Sequence, residues 1–208
     1  MTTPAPSSPE GDNNISPELV RKLREMTGAG MIDCRNALVK ADGNTDKAKE
    51  ILQEQGQSKA EKKAERSANE GLVGSYIHTG GKVGVLVEIN CETDFVARND
   101  KFKDLVRDVA MHIAAMPATY LTRESVPAEK VAELRAEFVT QVPPGKPPAV
   151  AEKIVEGKLN KWFEDHVVLE QSFVKDDSIT INELVNSVSG VLGEKMSVRR
   201  FAKFALGA

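Results

Sequence analysis

The sequence predicts an α+β fold: three short helices forming an N-terminal module, then an antiparallel three-stranded sheet covered by helices. Three observations predict it. Through residues 15–57, apolar residues recur at helical spacing in short runs broken by glycine. From Gly71 the pattern becomes alternating around Thr79-Gly80-Gly81-Lys82, the mark of a β-hairpin. Helical stripes then return and end in an apolar closing segment that reads as a third strand.

Residues 1–14 hold Pro4, Pro6 and Pro9 among Ser, Thr and Asn, with Met1 and Ala5 as their only hydrophobic residues. Such a segment cannot offset the entropy of ordering and is expected to be a disordered tail. Ser16 is a good N-cap before Pro17, and Leu19, Val20, Leu23 and Met26 form the stripe of a first helix. Two glycines in Thr27-Gly28-Ala29-Gly30-Met31 break it. A second helix turns Cys34, Ala37, Leu38 and Ala41 inward and stops at Asp42-Gly43-Asn44. Thr45 is expected to cap a third, with Ala48, Ile51 and Leu52 inward and Gly56 as its C′ residue. Each helix is too short to stand alone, so the three must bury their stripes together as a compact docking module over 15–57.

Residues 58–70 are Ala-rich and charged without an apolar stripe, which reads as a solvated helical connector. Lys59, Lys62, Lys63 and Arg66 leave one side of it positive. Residues 71–208 form the α+β core. Leu72, Val73, Tyr76 and Ile77 belong to a first strand; Val83, Val85, Val87, Ile89 and Cys91 line one face of the next. Its other face, with Gly84, Leu86, Glu88, Asn90 and Glu92, is expected to be largely wet. The following helix carries Phe102, Leu105, Val106, Val109 and Ile113 and ends near Pro117. Further helices are predicted over 128–141, 149–166 and 180–192, with the prolines of 143–148 making a stiff corner. Met196 to Leu206 is the closing strand.

With 28 Lys and Arg against 31 Asp and Glu in 208 residues, the net charge is −3, a poor match to generic binding along nucleic-acid backbones. No run approaches the length of a membrane span, and the first residues lack the charge and apolar block of a signal peptide. Two cysteines make no disulfide framework, and a reducing cytoplasm is the expected location.

Catalytic chemistry is hard to find. His78, His112 and His166 lie in separate elements, and neither cysteine has a second thiol at metal-ligand spacing, so no metal site is expected. Cys34 and Cys91 fall on inward faces, as small core residues do. His112 follows an apolar stripe as a half-buried, satisfied histidine. His78 ends a strand beside the turn, where it can face a partner. No phosphate-binding loop is present, because Gly28-Ala29-Gly30 lacks the Lys-Ser/Thr ending and the preceding strand. The expectation is a protein that is not an enzyme and needs no cofactor.

One segment stands out. Thr93, Asp94 and Asn99 suit a strand-to-helix corner, where their side chains cap free N–H groups. Val96 reads as a staple holding that corner to the core. Phe95 is either a second staple or an aromatic wedge for a partner's pocket, and the residues alone leave both open.

The sequence resembles the bacterial elongation factor Ts family, the nucleotide exchange factors of elongation factor Tu. The match lies in LVRKLREMTGAGMIDCRNAL (19–38), GVLVEINCETDFVARN (84–99) and GEKMSVRRFAKF (193–204). The resemblance implies a ubiquitin-associated-like N-terminal module that docks on the nucleotide-binding domain of elongation factor Tu through Arg24, Met31 and Ile32. It implies that the loop of Thr93, Asp94, Phe95 and Val96 enters the partner, with the Phe95 ring between two of its helices, and that His78 touches the partner's other domains. Lys62 and Lys63 would add contacts. The expected outcome is GDP release from elongation factor Tu by disturbing its Mg²⁺ and phosphate site.

Two departures qualify this. Long family members carry two core subdomains, and only one sheet unit is found here. The chain therefore resembles the short form, whose core pairs with a second copy, so a homodimer through the sheet of the 71–208 core is expected. Ala202 stands where some short relatives have a cysteine for an intersubunit disulfide. Two other readings compete: a nucleic-acid or ribosome-binding module using Lys59, Lys62, Lys63, Arg66, Arg199 and Arg200, and a thiol enzyme built on Cys34 or Cys91.

Overall fold

The structure is a computed structural model that describes residues 15–207 apart from 28 and 62–65, and the backbone alone over 56–61. The expected tail, Gly28, Lys62, Lys63 and the side chain of Lys59 lie outside the described residues. The chain divides into two compact units, 1–58 and 59–208.

The first unit holds α1 (Pro17–Thr27), α2 (Met31–Lys40) and α3 (Thr45–Glu61). Ser16 caps α1, its hydroxyl accepting the Leu19 N–H at 3.2 Å. Val20, Leu23, Cys34, Ala37, Leu38, Ala41 and Ala48 form the buried core. Three local expectations need correction. Asn44 rather than Thr45 caps α3, its Oδ1 accepting the N–H groups of Asp46 and Lys47 at 3.0 Å. Helix α3 runs through Gly56 to Glu61, because the Gln, Lys, Ala and Glu that follow are strong helix formers. Met26, in the last turn of α1, is 53% exposed, not inward.

The second unit runs β1 (Glu70–Ile77), β2 (Val83–Cys91), the one-turn helix α4 (Asp94–Ala97), α5 (Asp100–Ala115), α6 (Ala128–Thr140), α7 (Pro148–His166), β3 (Ser172–Phe173), β4 (Asp176–Thr180), α8 (Ile181–Leu192) and β5 (Ser197–Ala205). The main sheet has the order β1-β2-β5, antiparallel throughout. Its inner face buries Val85, Val87, Ile89 and Cys91 against Phe102, Val106, Val109 and Ile113 of α5 and Val185 of α8. Contact is close: a Cβ on Gly74 would lie 2.2 Å from Val106 Cγ1, so β1 needs glycine where α5 crosses it.

The cover is narrower than the sequence suggests. Helices α6 and α7 pack on each other around Val126, Leu134, Leu159, Phe163 and Val167, a small core of their own. The two-stranded ladder β3-β4 was not expected, since residues 174–178 carry no strand pattern. On the outer face of the main sheet the cross-strand rows are Val73-Glu88-Arg200, Ser75-Leu86-Ala202 and Ile77-Gly84-Phe204. That face is less polar than expected, with Val73, Ile77, Leu86 and Phe204 all exposed. Asn90 is not wet either; it is buried, and its Nδ2 donates to the Glu70 carbonyl at 3.1 Å.

His112 is fully buried, not half-buried. Gln171 Nε2 donates to the carbonyls of Pro117 and Asp165, at 2.9 and 2.8 Å, so its Oε1 is left to accept. His112 Nε2 therefore donates to Gln171 Oε1 at 2.9 Å, and Nδ1 accepts the Val174 N–H at 3.3 Å. The neutral ring thus ties α5 to the β3-β4 turn. Burial, with Lys203 nearby, holds its pKa below the ordinary value of 6.5. The unfolded chain then binds a proton that the folded chain refuses, so this contribution is complete above pH 6.5 and is lost as pH falls below it. The urea midpoint is expected to drop between pH 7.5 and 5.5, with a smaller drop for His112→Gln. Equal pH slopes for the two proteins would remove the histidine as the cause.

Candidate functional site

Strand β2 ends at Cys91, and the chain turns through Glu92 and Thr93 into α4. The expected loop is therefore a turn of helix. Thr93 is its N-cap, with extended backbone (φ −130°, ψ 153°) and a hydroxyl that accepts the Val96 N–H at 3.3 Å. Val96 and Ala97 point into the core beneath, only 6% and 5% exposed. Asn99 caps α5 in turn, its Oδ1 accepting the Lys101 N–H at 2.9 Å. Two caps six residues apart hold the corner firmly.

A one-turn helix fixed by Val96 and Ala97 must aim the intervening direction outward. Phe95 lies there, 78% exposed. The ring takes no part in the chain's own core, so of the two readings of Phe95 the staple does not hold. Asp94 pairs with Arg98 at 2.9 Å, one turn along, and both side chains stay mostly exposed. Such a pair contributes a few tenths of a kcal/mol and leaves the carboxylate open to competition.

The corner is also held from a distance. The chain reverses after α8 at Gly193, which takes the left-handed conformation (φ 80°) that favours glycine. Glu194 follows and reaches the corner. Its Oε2 accepts the N–H groups of Glu92 and Thr93 at 3.1 and 3.0 Å, and its Oε1 accepts the Thr93 hydroxyl at 2.6 Å. Sequence reasoning missed this residue. No local signal marks it, since its partners lie 101 and 102 positions away.

His78 lies elsewhere. It follows β1, exposed beside the turn, its N–H donating to the Val83 carbonyl at 2.8 Å and its Nδ1 3.3 Å from the Tyr76 hydroxyl. From Gly84 to Cys91, strand β2 rises about 23 Å, so His78 and Phe95 stand at opposite ends of the ladder. Arg24, Met31 and Ile32 belong to the first unit. All three are exposed there, and Ile32, at 76%, opens the first turn of α2 beside Met31.

The groups invoked by the competing readings are differently engaged. Glu88 faces Arg199 at 3.5 Å and Arg200 at 2.6 Å, and the Arg200 guanidinium holds its carboxyl below the usual carboxylate range. Arg66 pairs with Glu92 at 3.4 Å. Three of the cations of a presumed nucleic-acid face are thus matched by carboxylates. Both cysteines are buried. Burial, with Glu194 nearby, pushes the Cys91 thiol up to about 11, and burial also raises Cys34. At neutral pH such thiols stay protonated and are weak nucleophiles. Among the described residues, no group of His, Cys, Asp and Glu is placed to hold a metal ion, and no helix is long and apolar enough to cross a membrane.

Fold and site define a class: a two-unit α+β protein that presents exposed apolar side chains from rigid, capped corners, the surface chemistry of macromolecular contact. Comparison with known proteins narrows it. The family described as "Elongation factor TS" matches residues 41–208. The chain is 51% identical to an elongation factor Ts of Geobacter sp. strain M21 over 195 residues, 93% of this chain and 90% of that one. It is 50% identical to an elongation factor Ts of Synechococcus sp. strain WH7803, covering 89% of it, and 48% identical to that of Fervidobacterium nodosum, covering 98%. The chain belongs to the elongation factor Ts family.

Proposed function

We propose that this protein is the guanine nucleotide exchange factor of elongation factor Tu, acting in the cytoplasm during translation elongation. It binds the GDP-bound partner and stabilises a conformation that holds GDP and Mg²⁺ poorly. The observation that carries the reading is Phe95, an aromatic ring exposed on a corner that caps and core contacts keep rigid. Driven between two helices of the partner, the ring disturbs the phosphate site behind them. Thr93 and Val96 hold the wedge in place, and Asp94 accepts hydrogen bonds from the partner beside it.

No bond of the nucleotide breaks, so the protein is not an enzyme in the bond-making sense and needs no cofactor. Its effect is linkage: the factor weakens nucleotide binding, and nucleotide weakens factor binding by the same ratio. A 10³-fold change needs about 4 kcal/mol of differential binding, within reach of an aromatic anchor and a docked module. The module, which resembles a ubiquitin-associated domain, contributes Arg24, Met31 and Ile32; His78 adds a contact from the core. Because His78 and Phe95 lie at opposite ends of one sheet, a homodimer lets the His78 of one subunit and the Phe95 of the other meet the same partner.

The test mixes the purified protein with elongation factor Tu loaded with fluorescent GDP, following nucleotide loss by stopped flow and complex formation by size exclusion. Acceleration together with a nucleotide-free complex is expected; neither appearing would end the proposal. Met31→Ala and Ile32→Ala are each expected to weaken the complex about tenfold by calorimetry while leaving the melting temperature unchanged. Unaltered affinity would discard the docking role of the module.

A further inference from the structure

We propose that Glu194 is a positioning residue for exchange: it sets the direction of the Phe95 ring through Thr93, without itself touching the partner. The inference rests on the exchange-factor reading and adds a residue to it.

A single helical turn has no stability of its own, because nucleation fixes several residues for one hydrogen bond. Helix α4, four residues long, therefore depends on support from outside itself: Val96 and Ala97 anchor it in the core, and its start needs a hold of its own. One carboxylate does this three times over, accepting two consecutive backbone N–H groups and the Thr93 hydroxyl. The hydroxyl has one proton. Given to Glu194 Oε1 at 2.6 Å, it leaves a lone pair aimed at the Val96 N–H. Glu194 thus fixes the rotamer of the cap, the cap fixes the first turn, and the turn aims Phe95. Hydrogen bonds to an ionised acceptor are about twice as strong as neutral ones, which suits the task.

The clasp is reciprocal. The Glu92 carboxylate accepts the Lys195 N–H, Lys195 Nζ donates to the Arg66 carbonyl at 2.9 Å, and the Ser189 hydroxyl donates to the Glu194 carbonyl at 2.6 Å. The end of α8 is thereby fastened to the corner on both sides. For a ring exposed before binding, orientation in the free protein is preorganisation: whatever is not fixed beforehand is subtracted from binding.

The experiment uses the full chain. Glu194→Ala, Thr93→Val and Thr93→Ser are made alone and, for the first two, together with Phe95→Ala. GDP release from elongation factor Tu is followed by stopped flow across a titration of factor, separating complex formation from the rate at saturation. Glu194→Ala and Thr93→Val are expected to lower the saturated rate about tenfold. Thr93→Ser, which keeps the hydroxyl, should retain it. In the Phe95→Ala background neither substitution should slow exchange further. An equal further loss there would mean general damage to the fold and overturn the inference. If Phe95→Ala is slow while Glu194→Ala and Thr93→Val exchange normally, the positioning role fails and the exchange-factor reading stands. If Phe95→Ala exchanges normally, both fail. Should Glu194→Ala not fold, Thr93→Val decides by the same criteria.

Discussion

Phe95→Ala is expected to slow GDP release from elongation factor Tu by about a hundredfold or more while leaving the protein folded. The two halves of this expectation have separate physical origins. Removing a ring that is 78% exposed opens no cavity, and surface substitutions of this kind change stability by about 0.5 kcal/mol or less. The same ring, buried in a partner, is the kind of aromatic anchor whose truncation costs about 2–4 kcal/mol of binding. If that energy appears only in the conformation that has lost its grip on GDP, it enters the rate nearly in full. Stopped-flow exchange and a thermal melt of the same samples check both halves. Val96→Ala is the internal control: its side chain is buried, so it should lower the melting temperature. A Phe95→Ala protein exchanging at the normal rate would remove the ring from the mechanism.

How much of this was legible beforehand depends on whether a feature is written locally. The β1-β2 hairpin was legible because alternation and Gly80-Gly81 act within a few residues. Ser16 and Asn99 were legible as caps because the chemistry of capping is a property of the residue type and its neighbours. The outward aim of Phe95 was not, since it depends on Val96 and Ala97 finding the core, and both outcomes fit the same letters. Met26 fits the helical stripe of α1, but the buried part of that stripe ends at Leu23. The β3-β4 ladder escaped because its support is tertiary: the His112 ring accepts the Val174 N–H, and the Gln171 carbonyl accepts the Ile181 N–H at 3.0 Å. Glu194 is the extreme case. A carboxylate after a helix-ending glycine looks like solvent-facing polarity, and only the folded chain brings it to Thr93.

If the proposed homodimer forms through the outer sheet face, placing a charge at the β5 end of that face, as Phe204→Glu, is expected to leave the protein monomeric and to reduce exchange with it. Phe204 is 68% exposed, in one row with Gly84 and Ile77, and the next row holds Leu86 and Ala202. A neighbouring apolar group, Leu206, is 80% exposed, and its N–H is tied to the Lys82 carbonyl at 2.8 Å. These apolar residues sit in neighbouring rows across all three strands, the kind of clustering that marks a contact surface. In a two-fold interface every substitution occurs twice. Losing the burial of one phenylalanine costs about 2 kcal/mol, so the pair loses about 4 kcal/mol, close to a 10³-fold weaker dimer before the cost of burying charge. A protein that dimerises at micromolar concentration would become monomeric in any practical sample. Sedimentation equilibrium measures this directly, and a wild-type protein that stays monomeric at high concentration would refute the dimer. On the proposed dimer, with His78 and Phe95 at opposite ends of the sheet, the monomer would still insert its ring but would lose the second subunit's contact. The saturated exchange rate should therefore suffer less than the affinity, which separates this variant from Phe95→Ala.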